Sequence, residues 1–125
     1  MYVYYNPNPK RSNAEDCTVR ALTLVMNKPW GDVYDELCDL GHEVGNMPGS
    51  NHVWNEYLLR KGYKRYIIPN TCPSCYTVRD FAKEHPHGTY VLGTGSHVVT
   101  VMGGDYYDAW DSGYEVPIYY FKEVY

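Results

Sequence analysis

The chain has 125 residues, a net charge of −4 and an apolar fraction of 44%, which is the composition of one ordinary globular domain spanning residues 1–125. No basic run is longer than the two residues of Lys10-Arg11, which is too short for the basic stripe of a nucleic-acid-binding protein. No apolar stretch approaches the roughly 20 residues of a membrane span, and the first residues lack the charged start and apolar core of a signal peptide. We therefore expect a cytoplasmic protein whose four cysteines are reduced.

Hydrophobic periodicity and the positions of Gly and Pro predict a strand, three helices, a strand, a fourth helix and then four strands. The predicted ranges are 2–5 (strand), from the Cys17 region to 26 (helix), 29–41 (helix), 51–61 (helix), 63–68 (strand), 77–84 (helix), and 89–92, 97–102, 106–110 and 116–120 (strands). Helices dominate the first part of the chain and antiparallel strands the last. This order predicts an α+β fold, with a central N-terminal helix and further helices packed on a C-terminal antiparallel sheet.

Cys17 lies in or just before the first turn of the first helix, whose apolar residues occupy nearly every face and so predict a central, buried helix. A capping-box pattern, either Ser12 with Glu15 or Asn13 with Asp16, precedes this helix. Free N–H groups and the helix dipole favour an anion at such a position, and a thiolate is the nucleophilic form of cysteine. Cys17 is therefore a candidate nucleophile, and the alternative is a buried structural cysteine.

His97 begins one of the late strands and is the candidate base for Cys17, because cysteine hydrolases bring together a Cys and a His that are distant in sequence. A turn centred on the two glycines that follow this strand pairs His97 with Trp110. Asp108 is then the diagonal neighbour of His97 on the same face, where it can orient the imidazole. Asp111 points away unless a bulge shifts the register. The alternative for either aspartate is a solvated carboxylate in a turn.

Three short motifs carry a resemblance to a known family: Asp16–Ala21 (Asp-Cys-x-x-Arg-Ala), Ser96–Val99 and Tyr107–Ser112 (Tyr-Asp-x-Trp-Asp-Ser). Together they resemble the papain-like cysteine peptidase superfamily, and in particular short papain-like proteins of bacteria and phages and the leader-processing peptidases of bacteriocin exporters.

The resemblance implies a papain-like fold and a cysteine hydrolase with the triad Cys17, His97 and Asp108. The implied partner is a protein or peptide substrate rather than nucleic acid or a membrane. We expect no cofactor and no metal.

The chain also departs from the pattern of this family. Papain-like enzymes usually carry a Gln about six residues before the nucleophile, where this chain has Arg11, and it contains no Gln. Asn13, or else Asn8, could supply the amide of the oxyanion hole together with the backbone N–H of Cys17. The missing Gln leaves an alternative open, a catalytically silent binding module on the same scaffold.

Cys72 and Cys75 form a Cys-x-x-Cys pattern, which is compatible with a zinc site completed by His85 and His87, with a redox pair, or with ordinary loop cysteines. A zinc-binding structural domain is therefore a second alternative. His-Pro-His does not match the usual spacing of a second ligand pair, so we expect no metal centre. Cys38 is expected to pack in the core.

Overall fold

The computed structural model describes residues 1–11 and 14–124 of the chain. In this part of the chain, the elements are β1 (Tyr2–Tyr4), α1 (Cys17–Met26), α2 (Trp30–Val44), α3 (Asn51–Arg60), β2 (Tyr63–Ile67), α4 (Val78–Glu84), β3 (Thr89–Gly93), β4 (Val98–Met102), β5 (Asp105–Asp108) and β6 (Tyr119–Glu123). The strands form one sheet in the order β1-β5-β4-β3-β6-β2. β1 is parallel to β5, and the other neighbours are antiparallel. The fold is α+β, as predicted, but the sheet is mixed.

The predicted C-terminal antiparallel sheet is therefore wrong in two respects. β1, from the chain's start, joins one edge in parallel, and β2, which lies between α3 and α4, joins the other edge. Parallel pairing leaves no local turn signal in the sequence, which is why β1 could be predicted as a strand but not assigned a partner.

The central helix α1 forms because an apolar segment can bury itself on the sheet. Its residues from Thr18 to Thr23 are buried, and it packs on β4, where the Thr100 hydroxyl donates a 2.8 Å hydrogen bond to the carbonyl of Ala21. Helices α1 to α3 enclose one core with β3 and β6, and α4 encloses a second core with β3, β4 and β5. The helices therefore cover the sheet in two groups, and the start of α1 lies beside the end of β5.

Three predicted boundaries are wrong for identifiable reasons. Helix α2 continues past Gly41 to Val44, because Gly41 is a packing glycine: a Cβ there would lie 2.7 Å from the carbonyl oxygen of Asn46. Strand β5 ends at Asp108 rather than at residue 110, and β6 begins at Tyr119 rather than at residue 116. Pro117 cannot donate to a sheet, which is consistent with the later start of β6.

The start of α1 lies in the predicted Cys17 region. The helix begins at Cys17, and the Asp16 carboxylate makes no capping bond to the helix backbone because it bonds Arg20 and Trp30 instead. The alternative cap residues Ser12 and Asn13 lie outside the described residues. No helix in the described ranges is long and apolar enough to cross a membrane.

Candidate active site

Cys17 is the first residue of α1, and its thiol is free and half-buried. The first N–H groups of an α-helix have no partner within the helix, so they can stabilise an anion beside this position. Cys17 lines a pocket of about 430 Å³ together with Arg20, His97 and Trp110. The predicted nucleophile is therefore accessible from a cleft.

His97 immediately precedes β4 and connects Cys17 to Asp108. Its Nε2 atom lies 2.6 Å from Oδ2 of Asp108, and its side chain lines the same pocket as Cys17. Because Nε2 is bonded to the carboxylate, Nδ1 is the ring nitrogen available to the sulfur. The ring of Trp110 packs against the imidazole, with centroids 4.8 Å apart, as the predicted strand register requires.

The environment of His97 favours its protonated form. Burial alone lowers the pKa of this imidazole, because it penalises the charged form. The hydrogen bond with Asp108, the negative charge of that carboxylate and the nearby Cys17 together outweigh burial and raise the pKa to about 9. At neutral pH the ring is therefore an imidazolium that pairs with the carboxylate of Asp108.

Asp108 is 0% exposed, and its carboxylate accepts four hydrogen bonds. Oδ2 accepts from the ring of His97 and, at 2.6 Å, from the hydroxyl of Ser112. Oδ1 accepts from a guanidinium nitrogen of Arg20 and from the backbone N–H of Ala109, both at 2.8 Å. Burial raises the pKa of this carboxyl, but these donors and the charges of His97 and Arg20 lower it below its usual value. The carboxylate is therefore ionised and fixed in orientation.

Arg20 is a site residue that the sequence reasoning missed. It is 5% exposed, and its guanidinium bridges Oδ1 of Asp16, at 2.5 Å, and Oδ1 of Asp108. The second oxygen of Asp16 accepts from the indole N–H of Trp30 at 2.9 Å. The available signal was an arginine in an otherwise apolar helix, four residues after an aspartate, because a buried arginine needs carboxylate partners.

Asp111 does not reach His97. Its Oδ1 accepts from the hydroxyl of Tyr106 at 2.6 Å and from the backbone N–H of Gly113 at 3.0 Å, and its other oxygen lies 3.6 Å from Arg79. These contacts form a separate, partly exposed network beside the site.

The structure describes only one of the two predicted side-chain donors of the oxyanion hole, Asn13 and Asn8. Asn13 lies outside the described residues. Asn8 is buried, but its amide nitrogen lies 3.5 Å from Oδ2 of Asp16, and Asn8 does not line the pocket of Cys17. Asn8 therefore belongs with the Asp16 network.

The expectation of four reduced cysteines is wrong for Cys72 and Cys75, which form a disulfide. Their Cα atoms lie 4.1 Å apart in the loop before α4, close enough for the two sulfurs to bond to each other. His85, a predicted zinc ligand, instead stacks on Phe81 and bonds its carbonyl. No group of three or more metal-ligating side chains occurs within residues 1–11 and 14–124. Cys38 is free and half-buried on α2.

Comparisons with protein-family models, with curated proteins and with solved structures find no match to this chain.

Proposed function

We propose that the protein is a papain-like cysteine hydrolase that acts by acyl transfer on an amide of a protein or peptide, in the cytoplasm of the cell that makes it. The observation that carries the proposal is the 2.6 Å hydrogen bond between the ring of His97 and the buried carboxylate of Asp108, in a pocket that the thiol of Cys17 also lines. A thiol paired with an imidazole, which a third group orients, is the arrangement that nucleophilic catalysis requires.

In the proposed reaction, the Cys17 thiolate attacks the carbonyl carbon of the amide and forms a tetrahedral oxyanion. The imidazolium of His97 donates its proton to the departing amine, and the C–N bond breaks to leave a thioester. Water then attacks the thioester while His97 accepts a proton from it, and the acid product leaves with regeneration of the thiolate. Asp108 holds the ring orientation and stabilises its positive charge throughout.

The oxyanion in this scheme is stabilised by the free N–H groups at the start of α1, including that of Cys17, with Asn13 as the proposed side-chain donor. Peptide hydrolysis, isopeptide hydrolysis, deamidation and transamidation all proceed through the same thioester. They differ in which amine leaves and which nucleophile attacks second, so the proposal covers this reaction class.

The test is to incubate the purified protein with a lysate of its host cell and to compare new peptide termini by mass spectrometry. The role of Cys17 is tested by comparing wild type with Cys17→Ala. Cys38→Ala is the matched control, because it removes another free, half-buried thiol. We expect new termini with wild type and with Cys38→Ala, and none with Cys17→Ala. Identical termini in all three samples would contradict hydrolysis.

A second candidate is a catalytically silent binding module on the same scaffold, which the absence of Gln from the chain favours. An electrophilic activity-based probe distinguishes the two. A hydrolase is labelled at Cys17 and loses labelling in the presence of a competing peptide, whereas a silent module shows no labelling of Cys17 above that of Cys38.

A further inference from the structure

The disulfide between Cys72 and Cys75 lies outside the candidate active site, in the loop that joins β2 to α4. Cys72 is exposed and Cys75 is half-buried. The loop is held by local hydrogen bonds: the backbone N–H of Cys72 donates to the side chain of Asn70, and the hydroxyl of Thr71 donates to the carbonyl of Ser74. Solvent therefore reaches the disulfide, and thiol–disulfide exchange requires that access.

The proposed location in the cytoplasm and the short loop both favour a disulfide that is reversibly reduced. A disulfide in a reducing cytoplasm is usually transient, and it serves in catalysis or in redox sensing. Only two residues separate Cys72 from Cys75. In the chain-entropy model, a disulfide that closes so short a loop stabilises a fold less than one that closes a long loop. The pair therefore fits a redox site better than a structural cross-link.

The disulfide is close in sequence to the start of α4. Cys75 is followed by Tyr76, whose ring packs edge-on against Phe81 of α4 with centroids 6.4 Å apart. The next residue, Thr77, caps the helix, because its side chain accepts a hydrogen bond from the backbone N–H of Asp80. The disulfide therefore constrains the backbone from which α4 begins.

The first N–H groups of α4 hold the segment of residues 112–115, which follows β5. The N–H of Val78 donates to the carbonyl of Glu115 at 2.9 Å, and the N–H of Arg79 donates to the carbonyl of Gly113 at 3.1 Å. These N–H groups belong to the first turn of a helix and have no partner within it. The position of this segment therefore depends on how α4 begins.

The same segment supports the orienting carboxylate of the candidate active site. The backbone N–H of Glu115 donates to the carbonyl of Ser112 at 3.0 Å, which closes a turn. The hydroxyl of Ser112 donates to Oδ2 of Asp108 at 2.6 Å. The disulfide is thus connected to Asp108 by a series of direct contacts, and it supplies an element with two discrete states, bonded and reduced.

We propose that Cys72 and Cys75 form a redox site that exchanges with a cellular dithiol, and that reduction loosens the contacts between α4 and residues 112–115. The consequence for the orienting carboxylate rests on the proposed function, whereas the exchange itself does not.

The exchange proceeds in two steps. A thiolate of the dithiol attacks the sulfur of Cys72, which is the more exposed cysteine, and the S–S bond breaks to release the thiolate of Cys75. The second thiolate of the dithiol then attacks its own sulfur in the mixed disulfide and releases the thiolate of Cys72. The protein gains two electrons and, with protonation of both thiolates, two protons, while the dithiol becomes a disulfide.

The first experiment measures the redox state of the pair in the folded protein. The protein is treated with oxidised glutathione and then with dithiothreitol, a small dithiol, in the absence of denaturant. Free thiols are trapped with N-ethylmaleimide and mapped by mass spectrometry. We expect Cys72 and Cys75 to be unlabelled before dithiothreitol and labelled together after it. Labelling that requires urea would identify a structural cross-link and overturn the redox site, and so would a pair that oxidised glutathione fails to form.

The second experiment measures amide hydrogen exchange by NMR in both redox states. The amides of Val78 and Arg79 should exchange about tenfold faster after reduction, since removal of a disulfide typically costs at least the free energy that such a factor represents. The amide of Val33 is the matched control, because it donates to Pro29 in the first turn of another helix, α2, and its rate should not change.

Two variants separate the disulfide from other effects of the reductant. The double variant Cys72→Ser/Cys75→Ser should show the faster exchange of the reduced protein with or without dithiothreitol. Cys38→Ser removes a free thiol and keeps the pair, so it should behave as wild type. A change in exchange rate on addition of dithiothreitol to the double variant would show that another group responds, and would overturn the assignment.

Equal exchange rates of Val78 and Arg79 in the two redox states of wild type would overturn the proposed link to residues 112–115. The proposed hydrolase is scored separately by iodoacetamide labelling of Cys17. A pair that is reduced in the folded protein and changes these rates, together with an inert Cys17, would retain the redox site and reject the hydrolase. A reactive Cys17 beside a pair that resists reduction would retain the hydrolase and reject the redox site.

Discussion

The guanidinium of Arg20 lies 2.8 Å from one carboxylate oxygen of Asp108, and the other oxygen of Asp108 binds the ring of His97. Because Arg20 belongs to α1 and Asp108 ends β5, this buried ion pair connects the helix of the candidate nucleophile to the strand of the orienting carboxylate. The same guanidinium also binds Asp16, the residue before Cys17. One cation therefore sets the relative position of the residues on both sides of the imidazole.

The first prediction concerns the stability that depends on Arg20. Arg20→Met leaves Asp16 and Asp108 buried without their shared cation, so we expect the free energy of unfolding to fall by about 3–5 kcal/mol. Urea unfolding measures this loss. Arg60→Met is the control, since Arg60 binds Glu43 and Glu56 on the surface and its loss should change stability little. A loss at Arg20 no larger than at Arg60 would contradict the structural role of the buried pair.

The second prediction concerns thiol reactivity. Cys17 should react with dilute iodoacetamide at neutral pH faster than Cys38, because it lies at a helix N-terminus and beside His97. Peptide mapping by mass spectrometry gives both rates in one sample. His97→Ala should slow the labelling of Cys17, whereas His42→Ala, at an exposed position on α2, should not. Labelling of Cys38 at the same rate as Cys17, or ahead of it, would count against the nucleophile.

Much of the fold could be predicted from the sequence because its elements depend on local signals. Helix α4 is an example: it is predicted over residues 77–84, and Thr77 and Asp80 form a capping box at its start. The hairpin of β4 and β5 is another, since its two glycines adopt positive φ angles of 60° and 85° and set the register that places Trp110 beside His97.

The parts that could not be predicted depend on contacts between distant residues. Arg20 and Asp108 are 88 positions apart, and no periodic pattern relates them. The Asp-Cys-x-x-Arg motif was recognised by its resemblance alone, whereas its physical basis is the pairing of Asp16 with Arg20 and of Arg20 with Asp108. The role of Ser112, which bonds Asp108 from the following loop, depends on how the chain folds back after β5.

The third prediction is that the imidazole of His97 titrates with a pKa of about 9. Two-dimensional NMR of the ring protons as a function of pH measures this value directly. In Asp108→Asn the pKa should fall, because burial then acts against fewer favourable interactions with the imidazolium. An unchanged pKa in this variant would contradict the assigned cause.

The same shift predicts how stability depends on pH. The pKa of His97 is raised above the ordinary value of 6.5, so its contribution to stability is complete below about pH 6.5 and is lost as the pH rises through about 9. Urea unfolding at pH values across this window should show a decline for wild type. The decline should be smaller in Asp108→Asn, where the folded-state pKa is closer to the unfolded one.

The last prediction compares Asp108 with Asp111. Asp108→Asn keeps the shape of the side chain but removes the charge that stabilises the imidazolium, and it places an amide where Arg20, Ser112 and His97 all donate. We expect kcat/KM for a chromogenic peptidyl ester to fall by about 10²–10⁴-fold, less than the loss in Cys17→Ala. Asp111→Asn makes the same chemical change at a residue that bonds Tyr106 and Gly113 instead, so it should leave the rate unchanged.

This comparison needs a control for stability, because Asp108→Asn also weakens the ion pair of this residue with Arg20. The melting temperature of each variant is therefore measured first. The rates are then compared at a temperature below the lowest of these melting temperatures. A further variant, Ser112→Ala, removes one of the hydrogen bonds to Asp108 but keeps its charge, so it should cost less than Asp108→Asn. If Asp111→Asn lost as much activity as Asp108→Asn, the carboxylate beside His97 would not be the orienting group, and the loop after β5 would have to adopt another arrangement during the reaction.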